Sequence, residues 1–203
     1  MSASRTLEID AVNTILSTVG EPPVSSLDDP LQSDSSIARN TLIEISREVQ
    51  MEGWHFNTVR EVLLAPDAAD SNRIKVQDNV VRVDLETQNT ASYDIVQRGA
   101  YLYDRKGQTD AFTATLKATV MYVLDWDELP EPARRYITIR AARIFQDRFV
   151  GSGEHHGFNM MDEFKAMALL KEFESNTGGH SIFDNYDVSR VLSRNSIINR
   201  VGR

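Results

Sequence analysis

Residues 129–150 read LPEPARRYITIRAARIFQDRFV and constrain the fold more tightly than any other stretch of the chain. Pro130 and Pro132 fit a helix only in its first turn, where their missing N–H groups would have had no partner, and Glu131 suits the positive end of the helix dipole. Ala133, Tyr136, Ile137, Ala141, Ile144, Phe145 and Phe149 then recur at three- and four-residue spacing, which gathers them into one apolar stripe. Arg134, Arg135, Arg143 and Arg148 fall mostly on the flanks, and Gly151 and Gly153 close the run. The spacing predicts about five turns of helix with a buried seam and an arginine-rich exposed face, against which the other helices pack.

A second apolar-periodic segment precedes it. Thr6 is placed to cap a helix whose stripe is Leu7, Ala11, Val12, Ile15, Leu16 and Val19, with Gly20 to stop it and Pro22-Pro23 to forbid its return. Residues 24–34 read as an ordered connection anchored by Val24 and Leu27. Another helix is predicted from Ser33 or Ser35, with Ile37, Leu42, Ile45 and Val49 inward and Gly53 just past its end. After Gly53 the pattern becomes alternating, beginning with Trp54-His55-Phe56, whose two aromatics share a face while His55 points away. Strands are predicted at 59–64, 73–76, 80–85, 93–97, 100–103 and 116–124, separated by turn residues. Tyr101 and Tyr103 share one face. Met160, Phe164, Met167 and Leu170 predict a last helix that stops before Gly178-Gly179.

The expected fold class is therefore α+β: a bundle of about four helices with an inserted antiparallel β lobe and an extended C-terminal arm. The boundaries fall at 1–53 and 126–178 for the two halves of the bundle, 54–125 for the lobe and 179–203 for the arm.

Charge and composition narrow the function. The 203 residues are 41% hydrophobic and 26% charged, ordinary for a soluble protein, and contain no cysteine, so disulfides and thiolate metal sites are excluded. No window approaches the roughly 18 to 20 apolar residues of a membrane span, and MSASRTLEID lacks the features of a signal peptide. A protein made and kept in the cytoplasm is expected, unless something larger carries it out, with no membrane partner. The net charge of −8 opposes general binding to nucleic-acid phosphates. Its distribution is uneven: residues 190–203 carry four arginines and no acid, leaving −12 for the remainder.

Four blocks, AVNTILSTVGEPPVSSL (11–27), GWHFN (53–57), RGAYLYDR (98–105) and DWDELPEPARRYITIRAARIFQDRF (125–149), resemble the tail tubular protein A family, the adaptors of short-tailed phages that encode their own RNA polymerase. The blocks occur in the same order, and the last fifty residues match only loosely. The resemblance implies a helical bundle with an inserted β lobe and a ring, twelve copies in that family, between the portal and the nozzle formed by tail tubular protein B. The implied role is to close the head after packaging and let DNA pass through the lumen on ejection, without specific binding, as part of the virion tail.

Within that frame the charged segments have two readings each. The acids Asp125, Asp127, Glu128 and Glu131 and the arginines Arg134, Arg135, Arg143 and Arg148 are either a solvated surface or the two halves of a subunit interface, since a head-to-tail ring brings different patches together. The tail is either a solubility arm or a clamp on the portal or a neighbour, with Arg190, Arg194, Arg200 and Arg203 meeting acids and Ile197, Ile198 and Val201 burying apolar area. Trp126 serves either the core or an interface. The Gly20–Val24 element is a helix stop, and a stiff connector able to fix the angle between helix and lobe. Twelve copies would carry formally on the order of minus one hundred charges, and an acidic lumen would repel DNA.

The competing class is a tail-associated hydrolase of cell-envelope polysaccharide or peptidoglycan. The chain has no Gly-x-Ser-x-Gly elbow, His-Glu-x-x-His helix or Walker loop. Glu154-His155-His156, expected in a glycine-rich turn, lacks a third ligand at useful spacing. No catalytic residue, metal or cofactor is expected.

Overall fold

The structure, a computed structural model, describes residues 5–27, 33–86, 89, 91–149 and 153–177, with the backbone alone at 33 and 153–159. Helix α1 (Glu8–Ser17) starts where the Asp10 carboxylate accepts the Leu7 N–H at 3.1 Å, and two acids in its first turn favour the dipole. Thr6 is not the cap that its position suggested. Its N–H and hydroxyl both donate to the Glu131 carboxylate, 125 residues away. Ala11, Val12, Ile15 and Leu16 are buried, and Gly20, at φ +81°, supplies the left-handed turn that ends the helix. The prolines that follow are held back against α1 by Asn13, which donates to Val24 O at 3.1 Å and accepts the Val24 N–H at 2.7 Å.

Helix α2 (Ser33–Gln50) buries Ala38, Leu42, Ile45 and Val49, a spacing of four, three and four. Ile37, expected inward, is 45% exposed because it lies about 100° off that line and Ala38 takes the inner position. Helix α3 (Glu131–Phe149) is the predicted central helix. Ala133, Tyr136, Ile137, Ala141 and Phe145 are buried, and so are Arg134, Thr138, Ala142 and Gln146, so it is enclosed around most of its circumference. Helices α1 and α2 pack on α3 and on each other, and helix α4 (Gly153–Thr177) packs on α3 and on the turn at His55–Asn57. Ala166 and Leu170 form the buried line of α4, with Met167 beside them. Met160 and Phe164, expected inward, are 56% and 71% exposed. Glu154-His155-His156 lies inside α4 and not in a turn, since a glycine costs a helix only about 1 kcal/mol and packing of the later residues on α3 outweighs it.

Two clusters of buried apolar residues result. The helical one also takes in Trp54 and Leu129. The other lies in the β region, built from β1 (Thr58–Leu64), β2 (Val80–Leu85), β3 (Ile95–Arg98), β4 (Tyr101–Asp104) and β5 (Leu116–Tyr122). All pairings are antiparallel: β1-β5-β2 form one sheet and β3-β4 a hairpin. Leu116, Ala118 and Val120 point inward, while on the other face Lys117 reaches Glu61 and Thr119 reaches Glu86. Residues 73–76 are not a strand but make isolated bridges to Ala111 and Tyr101. Arg73 and Arg98 lie over the rings of Tyr101 and Tyr103 at 4.2 and 3.6 Å, so the tyrosine face is covered by cations. His55–Asn57 is a single 3-10 turn, not the start of a strand. Trp54 and Phe56 stack at 6.3 Å, and His55 is exposed, as their spacing implied.

Two side-chain amides join the clusters. Gln50 accepts the Leu124 N–H at 2.7 Å and donates to Leu124 O at 3.1 Å. Asn57 donates to Gln50 O at 2.8 Å and Tyr122 O at 2.9 Å and accepts the Trp54 N–H at 2.9 Å. Both residues are buried, so the chain entering the β region and the chain leaving it are bonded to the same helix end.

At the far end of the β region Asp104, 4% exposed, receives the N–H groups of Asp94 and Lys106 at 3.0 Å and of Gly107 at 2.8 Å. Burial opposes its charge, but the three N–H donors prevail and hold the carboxyl below its ordinary pKa. A depressed pKa contributes stability above the unfolded value, lost as pH falls through the folded one. Acidification below about pH 4 should therefore loosen the β3–β4 hairpin, and Asp104→Ala should lower stability by about 2 kcal/mol at neutral pH and flatten that acid limb. Urea midpoints measured between neutral and acid pH, wild type against variant, provide the check.

Candidate functional site

The charged stretch at 125–148 is distributed very differently from its linear pattern. Residues 126–128 form a one-turn 3-10 helix whose backbone curls over Arg134, and this arginine is 1% exposed. Its guanidinium donates to Leu129 O at 2.9 Å, Asp127 O at 2.7 Å and Thr6 O at 2.7 Å. Trp126 donates its indole N–H to the same Thr6 carbonyl at 3.0 Å, with its ring 6.0 Å from the guanidinium. The expectation that Arg134 belongs to an exposed arginine face is corrected on this point. Acid block and arginine do meet, but within one chain and through backbone carbonyls, because the ends of neighbouring turns leave C=O groups that need donors.

The other arginines are also largely engaged. Arg143 pairs with Glu163 of α4 and with Asp147, and the Glu163 bond is the main reason its pKa is raised. Arg148 spans to Glu44 of α2 with two bonds, 3.0 and 3.1 Å, and the pair lowers the Glu44 pKa. Arg140, which the apolar periodicity did not single out, bridges Glu48 of α2 at 2.5 Å and Glu163 of α4 at 3.1 Å and touches the Tyr136 hydroxyl at 3.2 Å. Burial works against its charge, and Tyr136 and Glu48 outweigh that. The arginines of α3 thus tie α2 and α4 to the central helix. Arg135 remains exposed and makes no ion pair among the described residues.

Of the acids, Glu131 is taken by Thr6 and Glu128 accepts the Asp125 N–H at 3.2 Å. Asp125 and Asp127 are exposed and form no ion pair among the described residues. They stand at the rim of an open cleft of about 800 Å³, bounded by α1, α2 and residues 123–127, with Leu42, Ile43, Leu124 and Trp126 on its walls. Trp126 therefore serves the fold through its N–H and the cleft through its ring. The connector at residues 20–24 is bonded to α1 by Asn13. The link between helices and β region is the Gln50 and Asn57 pair, which apolar periodicity could not detect because neither residue is apolar. The tail residues Arg190, Arg194, Ile197, Ile198, Arg200, Val201 and Arg203 lie outside the described residues.

Among the described residues no group of three or more His, Asp or Glu side chains is arranged to hold a metal, and no helix is long and apolar enough to cross a membrane. The family model described as tail tubular protein matches residues 9–180, spanning all four helices and the whole β region. The chain belongs to the tail tubular protein family. It is similar to Tail tubular protein A of Klebsiella phage KP34, with 28% identity over 171 residues covering 83% of this chain and 88% of the relative. As a tail tubular protein it is a structural component of the phage tail, assembled in the virion with other tail proteins, and not an enzyme. The arrangement suits that role: α3 is locked to its neighbours by buried and half-buried arginines, and the β region is stapled to the helices by two amides. Each copy therefore offers the same outline to whatever it joins.

Proposed function

We propose that this tail tubular protein is the adaptor of a short tail: a ring of copies between the portal and the nozzle protein that closes the head after packaging and passes DNA on ejection. The observation that carries the reading is the family match across residues 9–180, which contains the whole body made rigid by Arg134, Gln50 and Asn57. A ring repeats every angular error of its subunit, so a fixed angle between helices and β region is what such a part requires. Twelve copies are proposed on the family resemblance. The acidic balance fits a conduit: acids on the lumen wall repel phosphates, and DNA passes without adhering.

The exposed acids Asp125 and Asp127 belong to the subunit contact, and so does Arg135. The arm 179–203 clamps the portal or the next copy through Arg190, Arg194, Arg200 and Arg203, with Ile197, Ile198 and Val201 buried on docking. A chain truncated after Asp187 should then fail to join heads to tails.

The direct test is the mass of the full chain alone and mixed with its portal. The expected result is a closed ring on the portal, and a chain that neither binds the portal nor forms a ring contradicts the proposal. Reversing Arg135 to Glu should weaken ring formation by up to about 1 kcal/mol per contact, the range of exposed pairs, and leave the melting temperature of the monomer unchanged. Equal ring yield from the variant would remove Arg135 from the contact.

A further inference from the structure

Helix α4 is held to the bundle differently from the other helices. Of its side chains from Met160 to Thr177 only Ala166 and Leu170 are buried, whereas the much shorter α1 buries Ala11, Val12, Ile15 and Leu16, and α3 is enclosed around most of its circumference. A methyl group and one leucine, with Met167 half-buried beside them, take little apolar area from water, so other bonds supply a large share of the docking. Those bonds come from two carboxylates of α4. Glu163 pairs with Arg140 at 3.1 Å and with Arg143, and Glu174 accepts the backbone N–H of His55. The Glu163 side chain is 13% exposed and those of Arg140 and Arg143 are 24% and 18%, so salt and water screen these pairs far less than an open pair such as Arg82 with Asp84.

The seam is also imperfect. Among the described residues the buried side-chain atoms with no hydrogen-bond partner are Arg140 Nε and Glu174 Oε1, and both belong to groups that dock α4. A buried donor or acceptor left without a partner costs free energy that contact with water returns, so the docked state carries a penalty that undocking relieves. The joints that fix the rest of the body lie elsewhere. The side-chain bonds of Arg134, Gln50 and Asn57 run among the N-terminal segment, α2, the turn before α3 and the β region, and none of them reaches α4.

We propose that α4 is a separable part of the bundle, latched by Glu163 and Glu174, which leaves α3 while α1, α2 and α3 stay packed together, and that it must leave for a copy to join the portal. The need to leave rests on the adaptor reading, in which the arm 179–203 that follows α4 engages the partner; the separability of α4 does not. A few polar bonds suit such an element. They fix one docked position, and once they part the charged groups on both sides regain water, whereas a wide apolar seam would expose its whole area.

Hydrogen exchange of the isolated full chain tests the separability. The amides of Ala166 to Leu170 are expected to exchange several-fold faster than those of Tyr136 to Phe145 in α3. Glu163→Gln, which keeps the shape of the side chain and removes its charge, should speed the α4 amides several-fold more and leave those of α3 as they were. One common rate for both helices in the wild type overturns the proposal. So does a variant that exchanges like the wild type, or one in which both helices speed up alike.

The chain has no cysteine, so Arg143→Cys with Glu163→Cys places a reactive pair across the seam. Linked by a short bismaleimide, this chain is expected to melt no lower than the same chain unlinked and to join the portal several-fold less, while the unlinked chain joins it at least as well as wild type. A linked chain that joins the portal as readily as the unlinked one overturns the proposal, and so does an unlinked chain that folds yet fails where the wild type succeeds. A wild-type chain that does not join its portal defeats the adaptor reading and with it the need to leave; the exchange rates still decide whether α4 is separable.

Discussion

Arg134→Ala is expected to cost about 3–5 kcal/mol, a large fraction of the 5–15 kcal/mol that holds a typical domain together. The side chain is 1% exposed and supplies the donors for three carbonyls, those of Thr6, Asp127 and Leu129. Truncation leaves those acceptors without this donor and opens a void where the guanidinium lay. Arg134→Met keeps much of the volume but none of the donors, and should recover only the packing share. Arg134→Lys should also fall well short of wild type, since one ammonium cannot span three carbonyls that a planar fork reaches at 2.7–2.9 Å. The measurement is the urea midpoint of each variant at constant slope. Trp126 gives a local report, because it shares the Thr6 carbonyl with Arg134 and its emission should shift as the N-terminal segment lifts. An alanine variant within about 1 kcal/mol of wild type would show that water replaces the guanidinium without penalty.

Asn57→Leu comes next, with an expected loss of about 3 kcal/mol and a different signature. Its amide satisfies Trp54 N–H, Gln50 O and Tyr122 O, so an apolar replacement leaves the Trp54 N–H without its acceptor and takes a donor from Tyr122 O and from Gln50 O, which keeps only the Gly53 N–H at 3.2 Å. Each cluster keeps its own apolar core, so the variant should lose cooperativity before it loses secondary structure. Hydrogen exchange should quicken first at the start of β1 and the end of β5, while the centre of α3 stays protected. Gln50→Leu should behave alike, and the double variant should lose less than the sum, because both amides serve one junction. Uniform exchange across both clusters would mean that the junction is not the weak point. In an adaptor, a β region freed from its helices would also lower ring yield at temperatures where the helices remain folded.

Much of the fold was legible along the chain. Proline and glycine at the ends of 129–150 and 7–20, with apolar residues at helical spacing between them, located α3 and α1 closely, and alternation located β2 and β5. Those signals are local: an end needs a missing donor or a left-handed residue, and a buried face needs a period, all within a few neighbours. Residues 73–76 alternate like a strand yet form only isolated bridges, because pairing depends on which backbone lies alongside and not on the alternation itself. In α4 the line 160, 164, 167, 170 is helical, but the buried phase is 166 and 170, fixed by where α3 lies. The family blocks at 11–27, 53–57, 98–105 and 125–149 all fall within the matched span, so the class of protein was also written in the chain.

The polar architecture was not. Arg134 and Arg135 are adjacent and chemically identical, yet one is the most buried cation of the bundle and the other faces solvent. A period records where apolar residues recur; it carries no information about where distant carbonyls will stand in need of donors. The Thr6 carbonyl that accepts from Arg134 is 128 residues away in sequence, and Gln50 meets Leu124 across 74. Short-range spacing thus determined the helices and most strands, and four blocks of sequence pointed to the family. Only the folded chain, by bringing remote backbone groups within 3 Å of one another, decided which charges are structural and which remain free for assembly.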